Sequence, residues 1–202
     1  NRKRPLVSAG LFGLFLLSIL VLAPACAQGP KATTAPLFEL TDQFGQPAGL
    51  AQLRGKVVVL TFLYTSCPDT CPLIISEIQQ AVTQLGTSGS GEVAMVAVTV
   101  DPNRDTVERL REYTSRLAPG WLFLTGEPGQ LKTAWGNYRI YVEKPRDGAA
   151  PGEGTAGHGN SPAGHQGYEV IHNAKAVLID KEGFLRAELT GEWGAKELEA
   201  KL

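Results

Sequence analysis

The sequence predicts an α/β domain in which a mixed sheet is flanked by helices. Three observations carry that expectation. Two unbroken apolar runs, Val57–Tyr64 (VVVLTFLY) and Val93–Val100 (VAMVAVTV), have the pattern of central parallel strands buried on both faces. Between them, Ile74, Ile75, Ile78, Ala81, Val82 and Leu85 fall on one face at helical spacing. Near the end, Ala176–Asp180 and Phe184–Leu189 flank Lys181-Glu182-Gly183 as a hairpin, which adds antiparallel strands.

Composition supports this and narrows the function. A length of 202 residues suits one domain, and 43% hydrophobic content is enough for a packed core, which excludes wholesale disorder. A net charge of −1 gives no electrostatic reason to expect a nucleic-acid partner. Three cysteines are too few for a disulfide-framework miniprotein.

Residues 1–25 read as an export signal or membrane anchor. Arg2, Lys3 and Arg4 form a positive start, no charge follows before Lys31, and Leu6–Ala25 is strongly apolar. Setting those three aside from the 19 basic residues leaves 16 against 20 acidic, a net of −4 for the remainder. The apolar run is about 20 residues, long enough to span a bilayer if it is not cut. It ends Leu22-Ala23-Pro24-Ala25-Cys26, small residues before a cysteine, as at a bacterial lipoprotein cleavage site. Cys26 is therefore a lipidation candidate. Ala23-Pro24-Ala25 also fits ordinary cleavage, and an uncut run would remain as an anchor. Each alternative places the folded part on the periplasmic or other extracytoplasmic side of a bacterial cell membrane.

Residues 26–36 form a linker to a domain spanning 37–202. Phe38-Glu39-Leu40 before the Asp42–Gly49 turn region predicts an early hairpin. The first central strand and its helix follow, joined by TSCPDTCP. After the second central strand, Asp105 with Glu108 reads as a capping box opening a helix through Leu117. Trp121–Leu124 reads as a strand, Leu131–Trp135 as a short helix, Tyr138–Val142 as another strand and Gly194–Leu202 as a terminal helix. Residues 147–167 are a flexible insertion. Thirteen of the 21 are Gly, Ala or Pro, and such a stretch buries too little surface to offset its ordering entropy. It holds His158 and His165, two of the three histidines.

The chemistry centres on Cys67-Pro68-Asp69-Thr70-Cys71-Pro72. Two thiols stand four apart, just after a buried strand and at a helix start. Backbone N–H groups there favour thiolate, so both thiols are expected to be acidified. At helical spacing their Cα atoms would lie about 6 Å apart, close enough for a disulfide or for one shared metal ion. Pro72 suits a first helical turn, where a missing N–H costs little. A stapling disulfide is the plain structural reading, but a loop this short gains little entropic stabilisation. The remaining histidine, His172, lies directly before the hairpin strand. A lone histidine is more often structural, and the residues by themselves leave its role open. Two thiolates with one imidazole would form a soft three-donor set. Such a set favours Cu(I), because structural zinc ordinarily takes four ligands.

These motifs resemble the Sco/SenC family of thioredoxin-like copper proteins of cytochrome c oxidase assembly. The matching stretches are Gly55–Leu60, Tyr64–Pro72 (YTSCPDTCP), Val98–Asp105 (VTVDPNRD), and His172 to Asp180 before Gly183. The likeness covers about residues 36–200. It implies a thioredoxin-like fold and copper, as Cu(I) with Cu(II) left open, held by Cys67, Cys71 and His172. The sequence departs from the family's pattern at the long insertion and at Ile171, where family members often carry Asp.

Two functions compete under that resemblance. One is a metallochaperone that passes copper to the Cu(A) centre of oxidase subunit II. The other is a thiol–disulfide oxidoreductase that reduces the Cu(A)-site cysteines, with Cys67 and Cys71 as its redox-active pair. Other copper chaperones or thiol reductants are implied as further partners, and the membrane is met through the N-terminus. Thioredoxin-type reductases use CxxC and a proline before the hairpin strand; here the spacing is one residue longer and the equivalent place is near Ala174. Both departures favour metal binding. His158 and His165 read either as a copper-gathering accessory or as part of a solvated linker.

Overall fold

The computed structural model describes residues 33–86, 91–144 and 168–202. The export segment, Cys26, and the insertion with His158 and His165 lie outside the described residues. Among those described, no helix is long and apolar enough to cross a membrane. The early hairpin pairs β1 (Glu39–Thr41) with β2 (Pro47–Gly49). Asp42 shapes its turn, Oδ1 accepting from the backbone N–H groups of Phe44 and Gln46 at 2.8 Å each. Asx turns of this kind are why aspartate recurs at such corners.

The core is built on β3 (Val57–Leu63) and β4 (Val93–Thr99), parallel from Val57↔Val93 to Leu63↔Thr99. Val58 to Leu63 are buried without a break, as a strand covered on both faces requires. α1 (Thr70–Gln84) joins them and buries Ile74, Ile75, Ile78, Ala81 and Val82, the expected stripe. α2 (Val107–Leu117) leads to β5 (Leu122–Leu124), parallel to β4, and α3 (Pro128–Asn137) follows. A two-stranded ribbon comes next, β6 (Val142–Glu143) against β7 (Ile171–His172). The chain closes with β8 (Lys175–Ile179), β9 (Leu185–Thr190) and α4 (Ala195–Glu199). The sheet order is β5-β4-β3-β8-β9, with β8 antiparallel to both β3 and β9. The expected mixed α/β sheet is present. Two parallel strands therefore end where an antiparallel one begins, and residues 64–71, 100–105 and 172–174 converge at that edge.

Three expectations need correction. The cap of α2 is Thr106, whose Oγ1 accepts from the Arg109 N–H at 3.3 Å; Asp105 is fully buried and turned inward. Tyr138–Val142 is not one strand. Its first residues turn through Arg139, at φ 56°, before β6 starts at Val142. The terminal helix is also shorter than expected, Ala195–Glu199.

Candidate metal centre

The two cysteines occupy different environments because α1 begins between them. Thr70 opens the helix, so Cys71 sits inside its first turn while Cys67 remains in the preceding turn. Asp69, at the cap position, makes no side-chain capping bond. Cys67 Sγ fills that role and accepts from the Cys71 backbone N–H at 3.3 Å. A helix start leaves such N–H groups unsatisfied, and a sulfur carrying negative charge suits them. Both cysteines are free thiols, Cys67 half-buried and Cys71 fully buried.

Their acidities diverge. A hydrogen bond from the Cys71 thiol outweighs burial, and with the Asp69 and Cys71 N–H groups it pulls Cys67 down to about 6. Cys71 moves the other way, well above an ordinary thiol, because its S–H donates a hydrogen bond to Cys67 and it is buried. The expectation that the helix start acidifies both thiols therefore holds for Cys67 and fails for Cys71. Burial and the neighbouring negative sulfur overrule the helix dipole. At neutral pH the pair carries one charge on Cys67 and one proton on Cys71.

The cysteine turn is fixed from beneath by Asp105. Its carboxylate accepts from the Thr65 hydroxyl at 2.6 Å, the Thr65 N–H at 3.2 Å and the Thr99 hydroxyl at 2.5 Å. Burial pushes the Asp105 carboxyl upward against those bonds. Arg109 Nε donates to the same Thr65 hydroxyl at 3.1 Å.

His172 approaches through the ribbon. It pairs with Val142, and its ring meets Tyr64 edge-on, centroids 5.9 Å apart. Tyr64 immediately precedes the cysteine turn, so one aromatic ring separates the imidazole from the cysteine-bearing segment. Burial lowers the His172 pKa, which keeps the ring neutral and able to ligate. Nδ1 lies 3.3 Å from the Asn173 carbonyl. With Nδ1 protonated and donating there, Nε2 is left for a metal. Asn173 anchors the ribbon's base, its Oδ1 accepting from the Tyr141 N–H at 2.7 Å. Ile171, beside His172, is 59% exposed, so no carboxylate supports the imidazole from that position.

The structure thus brings the two sulfurs together and seats His172 across Tyr64. It does not draw the imidazole up to the sulfurs: among the described residues, no three His, Cys, Asp or Glu side chains are gathered tightly enough to hold a metal ion. The donor set still suits a soft ion, two sulfurs and a neutral imidazole with one open side.

Comparison with known proteins fits this arrangement. A family model described as SCO1/SenC matches residues 27–202. The chain belongs to the SCO1/SenC family. Its curated relatives include a SCO2-like protein of Rickettsia prowazekii, 32% identical over 161 residues, which span 80% of this chain and 71% of that protein. Among solved structures, yeast Sco1 with copper bound is 28% identical, with a TM-score of 0.69 over 84% of this chain and 86% of that one. Arabidopsis thaliana ScoI with copper bound is 27% identical, with a TM-score of 0.67 over 83% and 94% of the respective chains. These likenesses cover the SCO1/SenC domain as a whole and agree with a thioredoxin-like sheet.

Sequence reading matched the VTVDPNRD stretch to the SCO1/SenC family but gave its polar residues no role. Asp101 and Arg104 stand at the C-terminal end of parallel strand β4, where α/β folds gather functional side chains. A charged DPNRD segment directly after a buried run was the available signal. Burial would raise the Asp101 carboxyl, but bonds from Tyr168, Lys144 and Arg104 outweigh it and hold the carboxyl below the usual range.

Proposed function

We propose that this chain binds copper through Cys67, Cys71 and His172 and delivers it to the Cu(A) centre of cytochrome c oxidase subunit II, outside the cytoplasm. The observation that carries the reading is the split cysteine pair at the start of α1 with a neutral, half-buried imidazole facing its approach. The Cys67 thiolate meets the ion first. Cys71 then yields its proton as the second sulfur engages, and His172 closes the third side. A soft, three-donor site of this kind suits Cu(I) and leaves an edge open for a receiving site. Membership of the SCO1/SenC family and copper in two solved relatives support it. The N-terminal segment supports an exported, membrane-attached location, by anchor or by lipidation at Cys26.

One observation favours a second reading. An acidified, partly exposed Cys67 before a buried, protonated Cys71 is also the layout of a nucleophilic thiol and its resolving partner. On that reading the protein reduces the Cu(A)-site cysteines of subunit II. His172→Ala separates the two, because a dithiol can reduce a disulfide without an imidazole. Cells carrying only His172→Ala should assemble little Cu(A)-containing oxidase, while the purified variant still reduces disulfide-bonded apo-subunit II near the wild-type rate. Full oxidase assembly by His172→Ala without added copper would replace the chaperone reading with the reductase one.

A further inference from the structure

We propose that Asp101 is a positioning residue for His172: its buried carboxylate holds the ribbon that carries the imidazole. The inference rests on the reading of His172 as a copper ligand. Asp101 has no exposed surface, and its bonds reach two segments distant in sequence. Oδ1 accepts from Lys144 Nζ at 2.9 Å and from the Tyr168 hydroxyl at 2.6 Å. Lys144 follows β6 and Tyr168 precedes β7, so both legs of the ribbon are tied to one oxygen. Oδ2 accepts from Arg104 Nε.

A second route runs through that arginine. Its guanidinium lies 4.1 Å from the Tyr168 ring centre and 5.7 Å from that of Tyr64. Tyr64 in turn meets His172 edge-on. Asp101 therefore reaches the imidazole from behind, through Lys144, Tyr168 and the Val142↔His172 pair, and from the side, through Arg104 and Tyr64. A carboxylate buried this completely is stable only with its charge compensated, and here every compensating group belongs to the ribbon's legs or to the clamp on Tyr64. With the carboxylate neutralised, both routes loosen together. The imidazole then has to be ordered at the moment of binding, which weakens affinity without removing any donor atom.

The test uses the full chain and two readouts. Cu(I) affinity is measured by competition with a Cu(I)-specific chelator in wild type, Asp101→Asn, His172→Ala and the double variant. Asp101→Asn should lose about 10–100-fold in affinity, as outer-shell partners of a ligand histidine typically do. In the His172→Ala background the same substitution should change affinity by less than about twofold, because there is no imidazole left to position. Equal losses in both backgrounds, or no loss in the first, would overturn the proposal. The second readout needs no metal: the ring-proton NMR signals of His172 in the apo-protein, which Tyr64 shifts away from those of an unstructured histidine. Asp101→Asn should return them towards that position, as Tyr64→Leu should; unmoved signals in Asp101→Asn would overturn the proposal. If His172→Ala leaves copper affinity intact, the ligand reading falls by itself, and the NMR result still decides whether Asp101 places the ring. Tyr168→Phe, a milder change that removes one bond, should give losses of the same kind but smaller, and no loss there with an intact fold counts against the clamp.

Discussion

Replacing Cys71 by Ala tests what keeps Cys67 ionised. Two sources act on its sulfur: the Cys71 thiol, and backbone N–H groups, including that of Cys71 at 3.3 Å. Alanine removes the thiol and leaves the N–H in place. The thiol is the larger influence, so the Cys67 midpoint should climb from about 6 by about one to two pH units, towards an ordinary thiol. At pH 7 a group titrating near 6 is ~90% thiolate, whereas one titrating near 8 is only ~10%. The assay is the pH dependence of iodoacetamide alkylation at Cys67, read by peptide mass mapping beside thiolate ultraviolet absorbance. The midpoint is the readout and not the plateau, because a less acidic thiol gives a more nucleophilic thiolate. Cys71→Ser, which keeps a hydroxyl donor, should fall between wild type and alanine. Losing one buried sulfur costs about 1 kcal/mol, too little to unfold the domain. A midpoint still near 6 in Cys71→Ala would refute the reasoning and assign the acidity to the helix start alone.

Two further outcomes are expected. Asp105→Ala removes the buried acceptor of the Thr65 N–H and of two hydroxyls, and should destabilise by about 3–5 kcal/mol, a Tm loss of roughly 6–20 °C. Thr106→Ala, which removes only a helix cap, should cost about 1 kcal/mol; equal losses in thermal unfolding would return the cap to Asp105. Cu(I) uptake by the reduced protein should release close to one proton at about pH 7.5, where Cys67 is already ionised and Cys71 is not, and approach two as the pH falls below about 6. Burial keeps His172 neutral at the higher pH, so it adds none there. Indicator-dye titration in weak buffer reads this directly, and two protons at every pH would show that Cys67 is an ordinary thiol.

Where local pattern dictates structure, the sequence was readable. The Val57–Leu63 run is rich in β-branched residues and too short for a buried helix, so it reads as a strand covered on both faces, and the stripe from Ile74 to Val82 reads as a helix face turned to a core. The cysteine pair was legible as a place for chemistry because two thiols stand four apart between a strand and a helix, whereas His172 took its expected role only from the family resemblance. What was not legible depends on partners far along the chain. β6 and β7 are two residues each and pair across a long separation, too short for any periodicity. Asp105 has a helix-capping pattern but turns inward because Thr65 and Thr99 offer buried hydroxyls there. The opposite acidities of Cys67 and Cys71 follow from where α1 begins, a boundary that spacing does not locate.

The antiparallel seam between β3 and β8 also has a kinetic consequence. β3, α1 and β4 are close neighbours along the chain, and β8 with β9 is a hairpin, so each half can form from local contacts. The halves join only when residues such as Thr61 and Ala176, roughly 115 positions apart, find their register. Both sulfurs belong to the first half, and the imidazole to the ribbon strand β7 that leads directly into the second. A chain still emerging or caught part-folded can offer a dithiol, but it cannot present His172 to that dithiol until the seam has closed. Seating of His172 against Tyr64, beside the cysteine turn, is therefore a late event, and it marks a molecule that has finished folding.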